Sequence, residues 1–151
     1  MKTGDNIKSI LIEQVSNYQM LLDVLQRERE CLISFNSVAG EAISKEKDTI
    51  VLRLRLLEEE RIRLVTKFAD ENGIKGGINL QRLYELTGDV SFQTLRLQLI
   101  SLLQGIAELN EFNRILIERS MNFIKNATNF LDLFGMNLNS KGIGKVLSKE
   151  A

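Results

Sequence analysis

Apolar residues recur at helical intervals from the start of the chain. Beginning after Asp5, which is a suitable N-cap, they are spaced by three, four or seven positions and so share one helix face. The members of this first set are Ile7, Leu11, Tyr18, Leu22, Leu25, Leu32 and Phe35. The spacing predicts a long helix over about residues 5–38, followed by a reversal or kink near Gly40, since glycine costs about 1 kcal/mol relative to alanine inside a helix.

A second helix is predicted over about residues 41–70, because the same spacing resumes after Gly40. Its buried seam is predicted to comprise Ile43, Ile50, Leu54, Leu57, Leu64 and Phe68. Lys47 and Arg61 also fall on seam positions. Polar residues at such positions lower stability but fix the register or the number of partners, so they disfavour a simple two-stranded zipper.

A glycine-containing connector is predicted next, with Gly73, Gly76, Gly77 and Gly88. It encloses a leucine-rich segment near residues 79–86 that is long enough for a short helix. Ser91 is then the expected N-cap of a third long helix, over about residues 91–134. Its seam is predicted to comprise Phe92, Leu95, Leu99, Leu102, Ile106, Leu109, Asn113, Leu116, Ser120, Phe123, Ala127, Phe130 and Phe134.

The third helix has asparagines among its apolar residues and a second apolar stripe beside its seam. Asn110 and Asn113 interrupt the apolar helix, and the spacing favours asparagines that lie at the surface or fix the register; the alternative, that they belong to a functional motif, rests on the resemblance given below. A second stripe is expected to widen the packed face, as in a helix that contacts two others. It consists of Ile100, Leu103, Ala107, Ile117, Ile124 and Leu131.

The third helix is longer than its neighbours. At about 1.5 Å per residue the three helices span roughly 50, 45 and 65 Å. If the third helix starts level with the end of the second, it passes the turn near residue 121 and leaves an apolar stripe uncovered, which predicts a binding surface. The stripe comprises Phe123, Ile124, Ala127, Phe130, Leu131 and Phe134. The alternative is that the asparagines at 122, 126 and 129 break the helix and let it fold back as a fourth arm.

The predicted fold is therefore all-α. Residues 1–135 form an antiparallel bundle of three long, coiled-coil-like helices with a short connector helix, and residues 136–151 form a weakly structured or short-helical tail. In the tail, Ile143, Val146 and Leu147 share a helical face and are added to the candidate partner-binding residues.

Composition restricts the chemistry. The chain has no histidine and a single cysteine, Cys31, so we expect no catalytic, cofactor-binding or metal-binding residues and no enzymatic activity. The 20 basic and 20 acidic residues balance, which disfavours nucleic acid binding. The absence of a signal sequence, of a long apolar segment and of paired cysteines favours a cytoplasmic protein without a membrane span.

Three segments carry a family resemblance: YQMLLDVLQRERECL at residues 18–32, LRLLEEERIRLV at 54–65 and LNEFNRILIERSMNFI at 109–124. With the glycine-containing connector between the last two, the chain resembles the FlgN family of flagellar export chaperones. The resemblance implies a cytoplasmic chaperone that binds hook-filament junction proteins, keeps them soluble and delivers them to the flagellar type III export apparatus, without hydrolysing ATP itself. The alternative is a structural or adaptor coiled-coil protein that self-associates as a homo-oligomer through the same apolar stripe.

Overall fold

A computed structural model describes residues 2–135, and all regular secondary structure in this range is helical. The helices are α1 (Lys2–Ser34), α2 (Ser37–Glu71), α3 (Leu80–Thr87) and α4 (Val90–Asp132). This confirms the all-α class, and α3 is the predicted connector helix. The tail residues Ile143, Val146 and Leu147 lie outside the described residues.

The turn between α1 and α2 lies earlier than predicted. Phe35 adopts a left-handed backbone conformation with φ of 55°, and the Asn36 amide donates to the Cys31 carbonyl at 3.1 Å. This 6→1 hydrogen bond across a left-handed residue is the Schellman motif that ends many helices. The Asn36 side chain then accepts a hydrogen bond from the Ala39 amide at 3.2 Å and so caps α2. The predicted reversal near Gly40 is therefore wrong, because capping by Asn36 starts α2 before Gly40.

The helix periodicity located the buried seam of α2 and part of that of α1. All six seam residues predicted for α2 are buried. In α1, the buried seam residues include Ile7, Leu11, Leu25 and Leu32, whereas Phe35 is exposed in the turn. These positions are buried because the helix period of about 3.6 residues brings them to one face.

The structure divides into two compact units. The first contains the chain up to Leu22 together with Thr49–Ile106. Its core draws on every helix: Ile7 and Leu11 from α1, Phe68 from α2, Leu83 from α3 and Phe92 from α4, among others. Because Leu83 is fully buried, the connector helix belongs to this core.

Polar contacts define helix directions in the first unit. The Thr3 hydroxyl donates to Glu71 at 3.0 Å and the Gln14 amide donates to Glu58 at 2.9 Å. As α1 positions increase, their α2 partners decrease, so these two helices are antiparallel. Lys8 pairs with Asp89 immediately before α4, and a Cβ added at Gly105 would lie 3.6 Å from Leu22. In this unit α1 and α4 therefore run in the same direction.

The second unit contains Asp23–Asp48 and, of the described part of α4 and the turn after it, residues 107–135. The guanidinium of Arg27 donates two hydrogen bonds to Glu46, and Lys47 donates to Glu28 at 2.6 Å. These pairs join α1 to α2 on either side of the Phe35 turn. The first pair is exposed and the second is largely buried.

Asp89, and not Ser91, caps the N-terminus of α4. Its Oδ1 accepts a hydrogen bond from the Ser91 amide at 2.9 Å, and its Oδ2 lies 2.5 Å from Lys8 Nζ. The hydrogen bond from Lys8, followed by those from Ser91, lowers the pKa of Asp89 from 3.8 to about 2. The predicted cap was displaced by two residues because both side chains are good caps and the sequence does not show which one starts the helix.

This cap predicts a pH-dependent stability difference between the wild type and Asp89→Asn. Because the pKa of Asp89 is lower in the folded state, its contribution is fully present above pH 3.8 and is lost as the pH falls towards about 2. The urea midpoint of the wild type should exceed that of Asp89→Asn above pH 4, and the difference should shrink towards pH 2. The exposed Asp70→Asn is the control and should not reproduce this profile. A constant difference between wild type and Asp89→Asn over the whole range would contradict the role of the Lys8 pair.

Candidate partner-binding surface

The burial of the α4 seam changes along the helix. Phe92, Leu95 and Leu99 are buried, and the last buried seam residue is Ser120. The next seam residue, Phe123, is 68% exposed. The seam therefore continues beyond the part of α4 that is covered.

A buried polar cluster joins the three long helices in the second unit. The Asn113 side-chain amide donates to the Leu25 carbonyl and to Glu28 Oε1, both at 2.9 Å. Lys47 donates to the other oxygen of Glu28 at 2.6 Å. Asn113 is 1% exposed and Glu28 is 5% exposed. Asn113 is thus not at the surface but is a buried polar residue of the kind that fixes a helix register.

The register of this cluster explains where α4 becomes uncovered. Asn113 on α4 is bonded to Glu28 on α1. Seven residues after Glu28, α1 has ended at the Phe35 turn, and seven residues after Asn113, α4 has reached Ser120. Beyond Ser120, α4 continues to Asp132, a distance of about 18 Å at about 1.5 Å per residue. Since α4 is continuous over this length, the structure does not adopt the folded-back alternative.

We call the apolar face of this last part of α4, together with Phe134 in the turn that follows, the terminal stripe. Its aromatic members are exposed, Phe123 by 68%, Phe130 by 59% and Phe134 by 67%, whereas Ile124, Ala127 and Leu131 are half-buried. The full set is Phe123, Ile124, Ala127, Phe130, Leu131 and Phe134. Sequence analysis missed Leu133, which is also exposed, because it lies outside the seam period.

The end of the terminal stripe is defined by the helix C-terminus. The helix ends at Asp132, two residues before the predicted end, and Gly135 adopts a left-handed conformation with φ of 70°. The rings of Phe130 and Phe134 pack against each other with centroids 5.0 Å apart and planes tilted by 60°. This tilted geometry is favourable for aromatic pairs and presents two rings together at the surface.

The terminal stripe has little charge. Between residues 121 and 134 the only ionisable side chains are Lys125 and Asp132, with opposite signs. A partner would therefore be bound mainly by burial of apolar area, and this binding would depend weakly on salt.

The second stripe predicted on α4 is not packed along its whole length. Ile100 and Leu103 are 39% and 45% exposed, and Ala107 is also exposed, whereas Ile117 is half-buried. The prediction that this stripe widens the packed face is wrong at the three exposed positions. Helix periodicity assigned them to one face, but no helix of the described residues covers that face.

Metal binding, thiol chemistry and membrane insertion were considered for the described residues. No group of three His, Cys, Asp or Glu side chains in residues 2–135 is arranged to hold a metal ion. The Cys31 thiol is buried and donates to the Asn36 carbonyl at 3.0 Å, so it helps to close the turn. None of the described helices is both long enough and apolar enough to cross a membrane.

The sequence model of one protein family, described as FlgN protein, matches residues 1–132. The chain belongs to the FlgN family. FlgN proteins have a flagellar export chaperone role, and the match covers all four helices and ends at the last residue of α4. No curated protein and no solved structure matches the chain. The family match therefore includes the terminal stripe as far as Leu131, and Phe134 lies outside it.

Removal of Glu28 should be strongly destabilising. Glu28→Ala leaves the Lys47 ammonium and the Asn113 amide without their partner in the core, so we expect a loss of about 3–5 kcal/mol in the free energy of unfolding. The control is Glu46→Ala, which breaks the exposed pair with Arg27 and should cost only a small fraction of this. Urea denaturation measures both.

A triple variant separates register from stability. Glu28→Leu combined with Lys47→Leu and Asn113→Leu replaces the cluster by apolar groups and should recover most of the stability. It should nevertheless lose the single register, which would appear as broadened amide signals for α4 in NMR spectra. Equal stability losses for Glu28→Ala and Glu46→Ala, or sharp signals for the triple variant, would show that the cluster does not set the register.

Proposed function

We propose that this protein is a cytoplasmic type III export chaperone that binds flagellar hook-filament junction proteins, keeps them soluble and delivers them to the export apparatus. In this proposal residues 1–135 are the chaperone domain, an antiparallel bundle of three long helices, and residues 136–151 are a tail. The observation that carries it is the exposure of Phe123 and Phe130 on a continuous helix beyond the last buried seam residue, and of Phe134 in the turn that follows this helix.

The terminal stripe has the geometry needed for a helical client. Phe123, Ala127, Phe130 and Phe134 are separated by four, three and four residues, which is the spacing of anchors in helix-in-groove recognition. Burial of each phenylalanine contributes about 1.5–3 kcal/mol, part of which is offset by the ordering of the client. An amphipathic client helix that packs along this face would have its own apolar face shielded from water.

The tail contributes to the same proposal. Ile143, Val146 and Leu147 share a helical face in the sequence pattern and would form a second clamp on the client helix. The client would be held only by noncovalent contacts, so its binding and release would not require ATP hydrolysis by this protein. Release would follow when an export component competes for the client or for the chaperone.

Self-association is the second candidate function. Lys125 and Asp132, the only charged residues between positions 121 and 134, have opposite signs, so this segment would not repel the same segment of a second copy. Light scattering separates the two candidates. A chaperone forms a stoichiometric complex when a junction protein is added, whereas a structural coiled coil is already a stable homo-oligomer without it.

Phe130→Ser should weaken client binding without destabilising the fold. The Phe130 ring is 59% exposed, so its removal exposes little new surface in the free protein. In a complex the ring is an aromatic anchor, and its loss should weaken binding by about 2 kcal/mol or more, which is roughly thirtyfold in Kd. Calorimetric titration against C-terminal helices of junction proteins measures this, and the melting temperature should stay nearly unchanged.

The matched control is Ile62→Ser, which removes a similarly exposed apolar side chain from α2. It should bind the same helices as the wild type does. Truncation after Gly135 should weaken binding further while the melting temperature is retained. Wild-type affinity in Phe130→Ser, or a large fall in its melting temperature, would show that the terminal stripe is not the client site.

A further inference from the structure

The first unit contains an open groove that the chaperone proposal does not use. Its floor is formed by α1, with Leu11, Gln14 and Tyr18, and its walls by α2 and α4. Leu80, at the start of α3, lies at one end of it. The cavity has a volume of about 350 Å³, which lies within the range of roughly 300–1,000 Å³ for binding pockets.

The α4 wall of this groove is apolar and uncovered. It contains Ile100 and Leu103, which are the exposed residues of the second stripe, next to the buried Leu99. With Arg96 they occupy positions i, i+4 and i+7 of one helix and therefore form a continuous row along the groove. A surface of this kind fits the side of another helix, because an amphipathic helix presents its anchors at the same intervals.

The charges in the groove are not balanced. Glu58 accepts hydrogen bonds from Arg61 at 2.8 Å and from Gln14 at 2.9 Å, so this carboxylate and the Arg61 guanidinium already satisfy each other. Arg96 is half-buried and has no hydrogen bond or ion pair within residues 2–135. A half-buried guanidinium without a carboxylate attracts an anion more strongly than an exposed one, because solvent screening is weaker there.

Tyr18 adds an available donor on the groove floor. Burial, followed by the nearby Glu58 carboxylate, raises the pKa of Tyr18, so its hydroxyl remains protonated at neutral pH. The described residues provide no acceptor for this hydroxyl. A phenol and a guanidinium that border the same cavity are a suitable pair for a carboxylate.

We propose that this groove binds an amphipathic α-helix of a partner protein, with its apolar face on Ile100 and Leu103 and a glutamate or aspartate side chain paired with Arg96. Charge complementarity selects an acidic helix over a basic one, since the groove already holds one uncompensated positive charge. The groove shares no residue with the terminal stripe. It would therefore remain a binding site even if the stripe does not bind junction proteins.

The test uses three synthetic peptides of about 18 residues, long enough for five helical turns. Each has leucines at helix-seam positions and differs only in one flanking residue, which is Glu, Gln or Lys. The protein is the full chain with Phe123→Ser and Phe130→Ser, so that the terminal stripe does not contribute to binding. Fluorescence anisotropy gives the affinities, and amide chemical shifts locate the bound peptide.

We expect the Glu peptide to bind about tenfold or more tightly than the Gln peptide, and the Lys peptide to bind most weakly. Arg96→Gln should abolish the preference for Glu while leaving the affinity for the Gln peptide unchanged. Arg119→Gln, which alters an exposed arginine of α4 in the second unit, is the control and should retain the preference. Shifts should concentrate at Tyr18 and residues 96–103.

Three results would overturn the proposal: no peptide binds, the preference for Glu survives in Arg96→Gln, or the shifts lie outside the groove. Ile100→Ser distinguishes the apolar part of the site, because it should weaken all three peptides by a similar factor. Melting temperatures of all variants establish that they are folded. None of these readouts depends on a junction protein, so a failure here and a failure of the chaperone proposal can be told apart.

Discussion

The Glu28 carboxylate, which is 5% exposed, must be neutralised in the core of the second unit, and within residues 2–135 its hydrogen-bond partners are Lys47 and Asn113. If α4 shifted by four residues in either direction, Leu109 or Ile117 would replace Asn113 near the carboxylate. A buried charge without its partners costs several kcal/mol, so such a shift is strongly opposed. One polar cluster thus fixes the register of the three long helices in this unit.

This register converts a difference in helix length into an exposed surface. Apolar packing alone would allow α4 to slide, since leucines at heptad-like spacing fit several alignments. With Asn113 held against Leu25 and Glu28, Ser120 is the last buried seam residue, and the phenylalanines of the seam beyond it are exposed. The same helix therefore contributes to the fold with one part of its seam and offers the terminal stripe to a partner with the other.

The sequence predicted which helix faces are buried better than it predicted which residues of different helices contact each other. Periodicity identified the buried seam of α2, because a helix period depends only on local geometry. The exposed phenylalanines at the end of α4 were predicted from the comparison of helix lengths. Periodicity missed the turn at Phe35, since a phenylalanine in the left-handed region is uncommon. Periodicity also did not identify Glu28 as the partner of Asn113, 85 residues away, because tertiary contacts leave no local pattern. For the same reason it predicted Ile100 and Leu103 to be packed against another helix, whereas both are exposed.

Hydrogen exchange along α4, with and without a junction-protein client, tests the central claim most directly. If the end of α4 has less tertiary cover than the rest of the helix, its amides between residues 121 and 132 should exchange much faster in the free protein than those between 92 and 120. Addition of the client should slow exchange in this terminal segment and leave the rest of α4 unchanged. Slow exchange throughout α4 in the free protein, or client protection that spares the terminal segment, would contradict the account.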